Sequence, residues 1–167
     1  MKSTFTIYRS LPRFDTQAAS AVTIGNFDGV HLGHQAILQR LRQEAAARQL
    51  LSTVVTFSPH PRAYFAERAN RPELYPAQIN TLRDKLQALA HHGTQQIVLQ
   101  RFNQDFASLP AEVFVHELLV QGLNTKWLLV GKDFKFGHQR QGDIELLRKA
   151  GALYGFQVET IDDVPSP

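Results

Sequence analysis

Apolar and polar positions follow two alternating rhythms along this chain. Ala21–Ile24 is a short apolar, partly β-branched run, the pattern of a buried parallel strand, while Ile37, Leu38, Leu41 and Ala45 recur at helical spacing. A strand therefore hands over to a helix that runs to about Gln49, with Gln39, Arg40, Arg42, Gln43 and Glu44 on its solvent face. The rhythm then repeats. Leu51–Phe57 reads as a second buried strand and Gln96–Gln100 as a third, with a helix between them that Thr81 caps, that turns Leu82, Leu86 and Leu89 inward and that ends near Gly93. A helix from about Pro110 carries Val113, Phe114, Leu118 and Leu119, followed by a strand at Lys126–Val130, a helix at Asp143–Ala150 and a strand at Phe156–Thr160. Phe5–Tyr8 is a short possible strand, read as an edge element or arm. Strands alternating with helices predict an α/β fold: a Rossmann-like parallel sheet, helices on both faces, right-handed crossovers.

Three connections in this plan carry chemistry. In the first, Gly25-Asn-Phe-Asp-Gly-Val-His-Leu-Gly-His34, glycines fall where the chain leaves the first strong strand, and a missing Cβ there lets a ligand approach the backbone. His31 and His34 are three residues apart, on one face of the first helical turn if the helix starts near Val30. Unpaired backbone N–H groups and the positive end of the helix dipole lie at the same turn, which suits a phosphate. Gly33 is a poor helix former placed between the histidines, and close approach of a nucleotide would account for it.

The second connection, Ser58 to Gln78, holds Pro59, Pro61, Pro72 and Pro76, four of the eight prolines, and reads as a long shaped loop. Phe57, Tyr64, Phe65 and Tyr75 supply rings that either pack this loop on the core or face a flat ligand. The third, Gly131 to Gly142, is a glycine-bounded polar loop. Arg101 to Leu109, with Asn103, Asp105 and Ser108, reads as turn and cap chemistry. All three ligand-type connections come after the carboxyl ends of strands, where open α/β sheets bind ligands.

Composition narrows the classes. The chain has 167 residues, enough for one domain with its own core. It has no cysteine, which excludes disulfides and cysteine-ligated metals. No apolar run approaches the ~20 residues of a membrane span, and the N-terminal residues lack the apolar stretch of a signal peptide, so a cytoplasmic protein is expected, without a membrane partner. The 18 basic and 15 acidic residues are dispersed, leaving +3 and no basic run of the kind that binds nucleic acid; the balance suits anionic small molecules.

The first motif resembles the nucleotide-binding signature of bacterial bifunctional FAD synthetases, in which an FMN adenylyltransferase module precedes a riboflavin kinase module. Its His-x-Gly-His core is shared across a nucleotidyltransferase superfamily. Thr56-Phe-Ser-Pro-His-Pro-Arg62 resembles that family's flavin-side loop, and Val130-Gly-Lys-Asp-Phe-Lys-Phe-Gly137 with Gly142-Asp143 its next signature. The resemblance covers about Ile7 to Glu159. It implies transfer of AMP from ATP to FMN with Mg²⁺ as cofactor, giving FAD and pyrophosphate.

By the same resemblance, His31 and His34 are the catalytic pair; Gly25, Asn26, Phe27, Asp28, Gly33 and Asp133 serve the nucleotide. Phe57, Pro59, His60, Pro61, Arg62, Phe65, Phe134 and Phe136 serve the flavin, with Arg62 near the FMN phosphate. Asp28 is equally suited to an Asx turn before Gly29, and Phe134 and Phe136 to core packing. Metal ligands are not indicated. The family module continues with a Ser-Ser-Thr-x-x-Arg signature, whereas Ile161-Asp-Asp-Val-Pro-Ser-Pro167 ends before it. The expectation is thus an adenylyltransferase domain over 1–167 without its C-terminal segment or kinase partner module, making FAD at most slowly and phosphorylating no riboflavin. Two other readings stay open: a nucleotidyltransferase acting on a pantetheine or nicotinate phosphate, against which the Pro-rich aromatic segment argues, and a flavin- or nucleotide-binding module without turnover.

Overall fold

The computed structural model describes residues 6–8, 18–27, 32–58, 61–70 and 82–162, with side chains for 18–27, 34–58, 63–70 and 82–162. Six strands form one sheet: β1 (Thr6–Tyr8), β2 (Ser20–Ile24), β3 (Leu51–Ser58), β4 (Gln96–Arg101), β5 (Thr125–Gly131) and β6 (Gln157–Ile161). Their spatial order is β1-β4-β3-β2-β5-β6, and every pairing is parallel. The chain works outward from β2 through β3 to β4 and then returns to place β5 on the other side of β2. That reversal makes the end of β2 the switch point of the sheet.

Helices cover both faces. On one, α1 (Leu32–Arg48) and α3 (Leu82–His91) bury Leu38, Leu41, Ala45, Leu86 and Leu89 against Ala21, Val54, Ile97, Trp127 and Leu129. On the other, α5 (Ala111–Phe114) and α6 (Ile144–Tyr154) pack against Val22, Ile24, Val55, Val98, Leu128 and Val130. Alternate residues of each central strand thus feed opposite layers, as the two-residue period of a strand requires. Each fully buried leucine contributes on the order of 2 kcal/mol. No described helix is long and apolar enough to cross a membrane.

Three sequence expectations change. The segment Ser58 to Gln78 is not wholly a loop: α2 (Pro61–Arg68) occupies part of it, and 71–80 lie outside the described residues. Pro61 is the first residue of that helix, a position where its missing N–H costs nothing, so proline starts the element instead of interrupting it. Leu82 is exposed at 37 %, and the inward face of α3 is Lys85, Leu86 and Leu89. Thr81, its expected cap, lies outside the described residues.

The helix expected from Pro110 exists, but after Phe114 it widens into a π-helical stretch, Val115–Gly122. Over two turns the apolar spacing of Val115, Leu118, Leu119 and Gly122 serves either winding, so the sequence could not separate them.

A close approach holds α6 to the strand it feeds. A Cβ on Gly151 would lie 2.3 Å from the Phe156 carbonyl oxygen, which neither backbone segment can yield without moving. Gly151→Ala is expected to lower stability by roughly 1–3 kcal/mol. Chemical denaturation checks this: the midpoint should fall at unchanged slope.

Candidate active site

Beyond Ile24 the main chain leaves the sheet. Gly25 N–H still donates to the Val55 carbonyl at 3.0 Å, and the next residues turn away over the sheet end. Phe27 takes φ +53 and drives its ring into the α1/α3 layer, 4 % exposed, where it meets the His34 ring edge-on at 5.1 Å. A Cβ on Gly25 would lie 2.9 Å from that Phe27 ring. Glycine is required there by the protein's own aromatic, and Phe27 shapes the turn from within the core. His34 is the third residue of α1 and is half-buried.

On the opposite face, the same turn borders a cavity of about 650 Å³, within the ~300–1,000 Å³ range of small-molecule sites. Seven phenylalanines line it, from the end of β3 and the connections after β3, β4 and β5. Phe57 comes from the end of β3 and Phe65 from α2, while Phe134 and Phe136 come from the segment after β5. Phe136 is 6 % exposed and anchors the wall, stacked nearly parallel on Phe134 with ring centroids 5.4 Å apart and 17° between planes. Phe65, by contrast, is 55 % exposed at the rim. Polar groups at this cavity are Asn26, Asp133, Lys135, Gln139 and Arg140, the last four exposed.

The wall after β5 is held by backbone geometry. Gly137 has φ +79, and a Cβ there would lie 2.8 Å from Ala111 Cα. His138 N–H donates to the Leu109 carbonyl at 2.7 Å, which docks the loop on the start of α5. Gln139 and Arg140 come next with φ +53 and +56, an unusual conformation for residues other than glycine. The expected polar loop is therefore structured, with a 3₁₀ turn His138–Arg140 and a bridge pairing Phe136 with Gly142.

Gly25, Asn26, Phe57, Phe65, Asp133, Phe134 and Phe136 thus share one cavity. Phe27 and His34 lie on the other face, joined to it through the Gly25–Asn26 turn. Asp28, His31, Pro59 and His60 lie outside the described residues, as do Tyr75 and the side chains of Pro61 and Arg62; Gly33 is described as backbone within α1. Tyr64, on α2, packs on Phe65 and Phe102 with ring centroids 5.1 and 5.3 Å apart, behind the rings that line the cavity. Among the described residues no three His, Cys, Asp or Glu side chains gather as a metal site, so these residues do not by themselves form a Mg²⁺ cage.

Sequence reasoning misses Phe102 and Phe106, which sit in a segment that reads as capping chemistry. Asn103 does cap α4 (Gln104–Ala107), its Oδ1 accepting from Phe106 N–H at 2.9 Å, yet the two rings also line the cavity. Two phenylalanines four residues apart in an otherwise polar turn are the available signal. Lys135, Arg140 and the buried Lys85 are missed too. Lys85 donates from Nζ to the carbonyl oxygens of Asn26 at 2.7 Å and Phe57 at 3.2 Å.

Comparison with known proteins fits this geometry. The sequence profile of the FAD synthetase family matches residues 14–166. A bifunctional riboflavin kinase/FMN adenylyltransferase of Escherichia coli K12 is 45 % identical over 142 residues, covering 85 % of this chain and 44 % of that protein. Proteins of the same description are 42 % identical over 139 residues in Haemophilus influenzae (83 % of this chain, 44 % of that one) and 45 % over 142 in Pseudomonas fluorescens (85 % and 44 %). The chain therefore spans less than half the length of these curated relatives. A crystal structure described as a macrolide-efflux protein from Streptococcus pneumoniae superposes with a TM-score of 0.78 at 25 % identity, over 98 % of this chain and 52 % of that one. A match that runs through β2, the cavity and β6 leaves one assignment: this chain belongs to the FAD synthetase family.

Proposed function

We propose that this chain is the FMN adenylyltransferase part of a bifunctional riboflavin kinase/FMN adenylyltransferase, joining FMN to the AMP moiety of ATP. The observation that carries the reading is the phenylalanine-lined cavity of about 650 Å³ that opens beside the Gly25–Asn26 turn at the sheet's switch point. An isoalloxazine is flat, with an apolar dimethylbenzene end and ring faces that suit aromatic walls and a pyrimidine end that bonds polar groups; FMN and ATP carry phosphates that need N–H donors and positive charge. Family membership and this pairing of surfaces support the same chemistry. The kinase part that the relatives' description names is the proposed partner module.

In the reaction a phosphate oxygen of FMN attacks the α-phosphorus of ATP, the bond to the β-phosphate oxygen breaks, and pyrophosphate leaves. The FMN phosphate has a second pKa near ~6 and is largely dianionic at neutral pH, so no general base is needed. Catalysis then consists of placing the two phosphates and stabilising charge on the leaving group. His31 and His34 serve that charge, near the backbone N–H groups of the α1 start. Phe57, Phe65 and Phe134 hold the flavin over the Phe136 floor, and Asn26 and Asp133 border the nucleotide. Pro59, His60, Pro61 and Arg62 extend the flavin side, and Gly25, Phe27, Asp28 and Gly33 shape the nucleotide side. Mg²⁺ would travel with the triphosphate and offset its charge.

Protein, FMN, ATP and Mg²⁺ incubated together are expected to accumulate FAD above the protein-free control, separated from FMN by chromatography. FMN bound without FAD formed would favour the binding-module alternative, and the absence of both FMN binding and FAD formation would contradict the proposal outright. His31→Ala and His34→Ala should each lower kcat on the order of 10²-fold or more at matched fraction folded. Near-normal turnover in both variants would remove the histidines from the mechanism.

A further inference from the structure

Residues proposed for substrate binding come from β2, β3, α1 and β5 and their connections, and α2. None comes from α3, yet α3 sends Lys85 inward, 4 % exposed. A lysine is seldom buried unless its charge is hydrogen-bonded. Lys85 Nζ spends two of its donors on main-chain carbonyls, Asn26 at 2.7 Å and Phe57 at 3.2 Å.

Those carbonyls are available because the sheet splits there. β2 and β3 pair as far as Ile24 and Val55, with one further bond from Gly25 N–H to the Val55 carbonyl. Beyond it β3 continues beside β4 alone, Phe57 opposite Gln100 and Ser58 opposite Arg101, while the chain after Gly25 leaves the sheet. Strand pairing no longer fixes the distance between the two backbones at the point where the site begins. Thr56 Oγ1 donates to the Asn26 carbonyl at 2.9 Å and ties that turn to β3, and Lys85 bonds both sides of the split at once.

We propose that Lys85 is a positioning residue for adenylyl transfer, a clamp that holds the Asn26 turn at fixed separation from Phe57 so that nucleotide and flavin meet at reacting distance. The inference rests on the adenylyltransferase reading. Lys85 acts through backbone and touches neither substrate. A misplacement of about 1 Å remote from the reacting atoms can cost on the order of 10² in rate, which is the scale the clamp controls.

The chain has no cysteine, so Lys85→Cys introduces a single thiol that can be alkylated in denaturant before refolding. An aminoethyl adduct restores an ammonium at lysine's reach; an S-propyl adduct has the same length and no charge. At equal fraction folded, the aminoethyl form should turn over within a few-fold of the unaltered chain and the S-propyl form about 10-fold or more below it, mainly in kcat. Equal turnover of the two adducts overturns the proposal. Where neither refolds, Lys85→Arg, which keeps donors, should exceed Lys85→Met by a similar margin, and equality again overturns it. A second readout separates this inference from the functional reading: amide exchange in 21–27 and 54–58 should be faster in the S-propyl form than in the aminoethyl form, with β6 unchanged. If the unaltered chain makes no FAD, the functional reading fails, and the exchange comparison alone upholds or overturns the clamp.

Discussion

Strand β2 is committed on every side: all five residues are buried, one edge is bonded to β3 and the other to β5. A chain leaving such a strand has one direction open to it, over the carboxyl end of the sheet. There it turns through Gly25 and Asn26 and immediately sinks Phe27 back into the α1/α3 layer. The short stretch between strand and buried ring is thereby fixed at both ends. It separates the face that carries the start of α1 from the face that carries the aromatic cavity, and it is the covalent route between β2 and α1. The proposed site for two substrates fits here because the sheet's order reverses at this strand, which parts the neighbouring connections and leaves room between them.

The constraint explains why the cavity wall is built from strongly packed rings instead of flexible loop. Phe136 belongs to the core formed by α5, α6 and the sheet, and its neighbours Phe114 and Phe134 lie 5.1 and 5.4 Å away by ring centroid. The loop that carries it is pinned by the contact of Gly137 with Ala111. Charged groups are kept to the exposed rim, where Lys135 and Arg140 retain their hydration. An apolar floor with a charged rim suits the proposed flavin, whose flat ring and phosphate differ in the same way.

Much of this is legible in the order of residues. The strands are written in β-branched apolar runs, the layers in helical spacing, and the first connection in its glycine and histidine pattern. The features that escape are set by tertiary context. Pro61 is a loop residue or a helix start depending on whether the residues after it wind, and proline density favours the wrong choice. Gly25 reads as room for a ligand and does border the cavity, but that its missing Cβ also makes room for Phe27 could not be read locally. Lys85 resembles any solvated lysine, because nothing local says that a helix will deliver it to two carbonyls far away in sequence. Phe102 and Phe106 are hidden in a segment whose capping chemistry already gives it a purpose.

In the proposed complex the flavin lies in the phenylalanine-lined cavity and the transferring phosphates meet beside the Gly25–Asn26 turn. The most direct measurement is a crystal structure of the chain with FMN and a non-hydrolysable ATP analogue. The isoalloxazine is expected against Phe57 and Phe134, with the FMN phosphate directed toward the Gly25–Asn26 turn and the α-phosphate of the analogue within reach of it. A flavin bound outside this cavity, or a triphosphate distant from that turn, would contradict the claim.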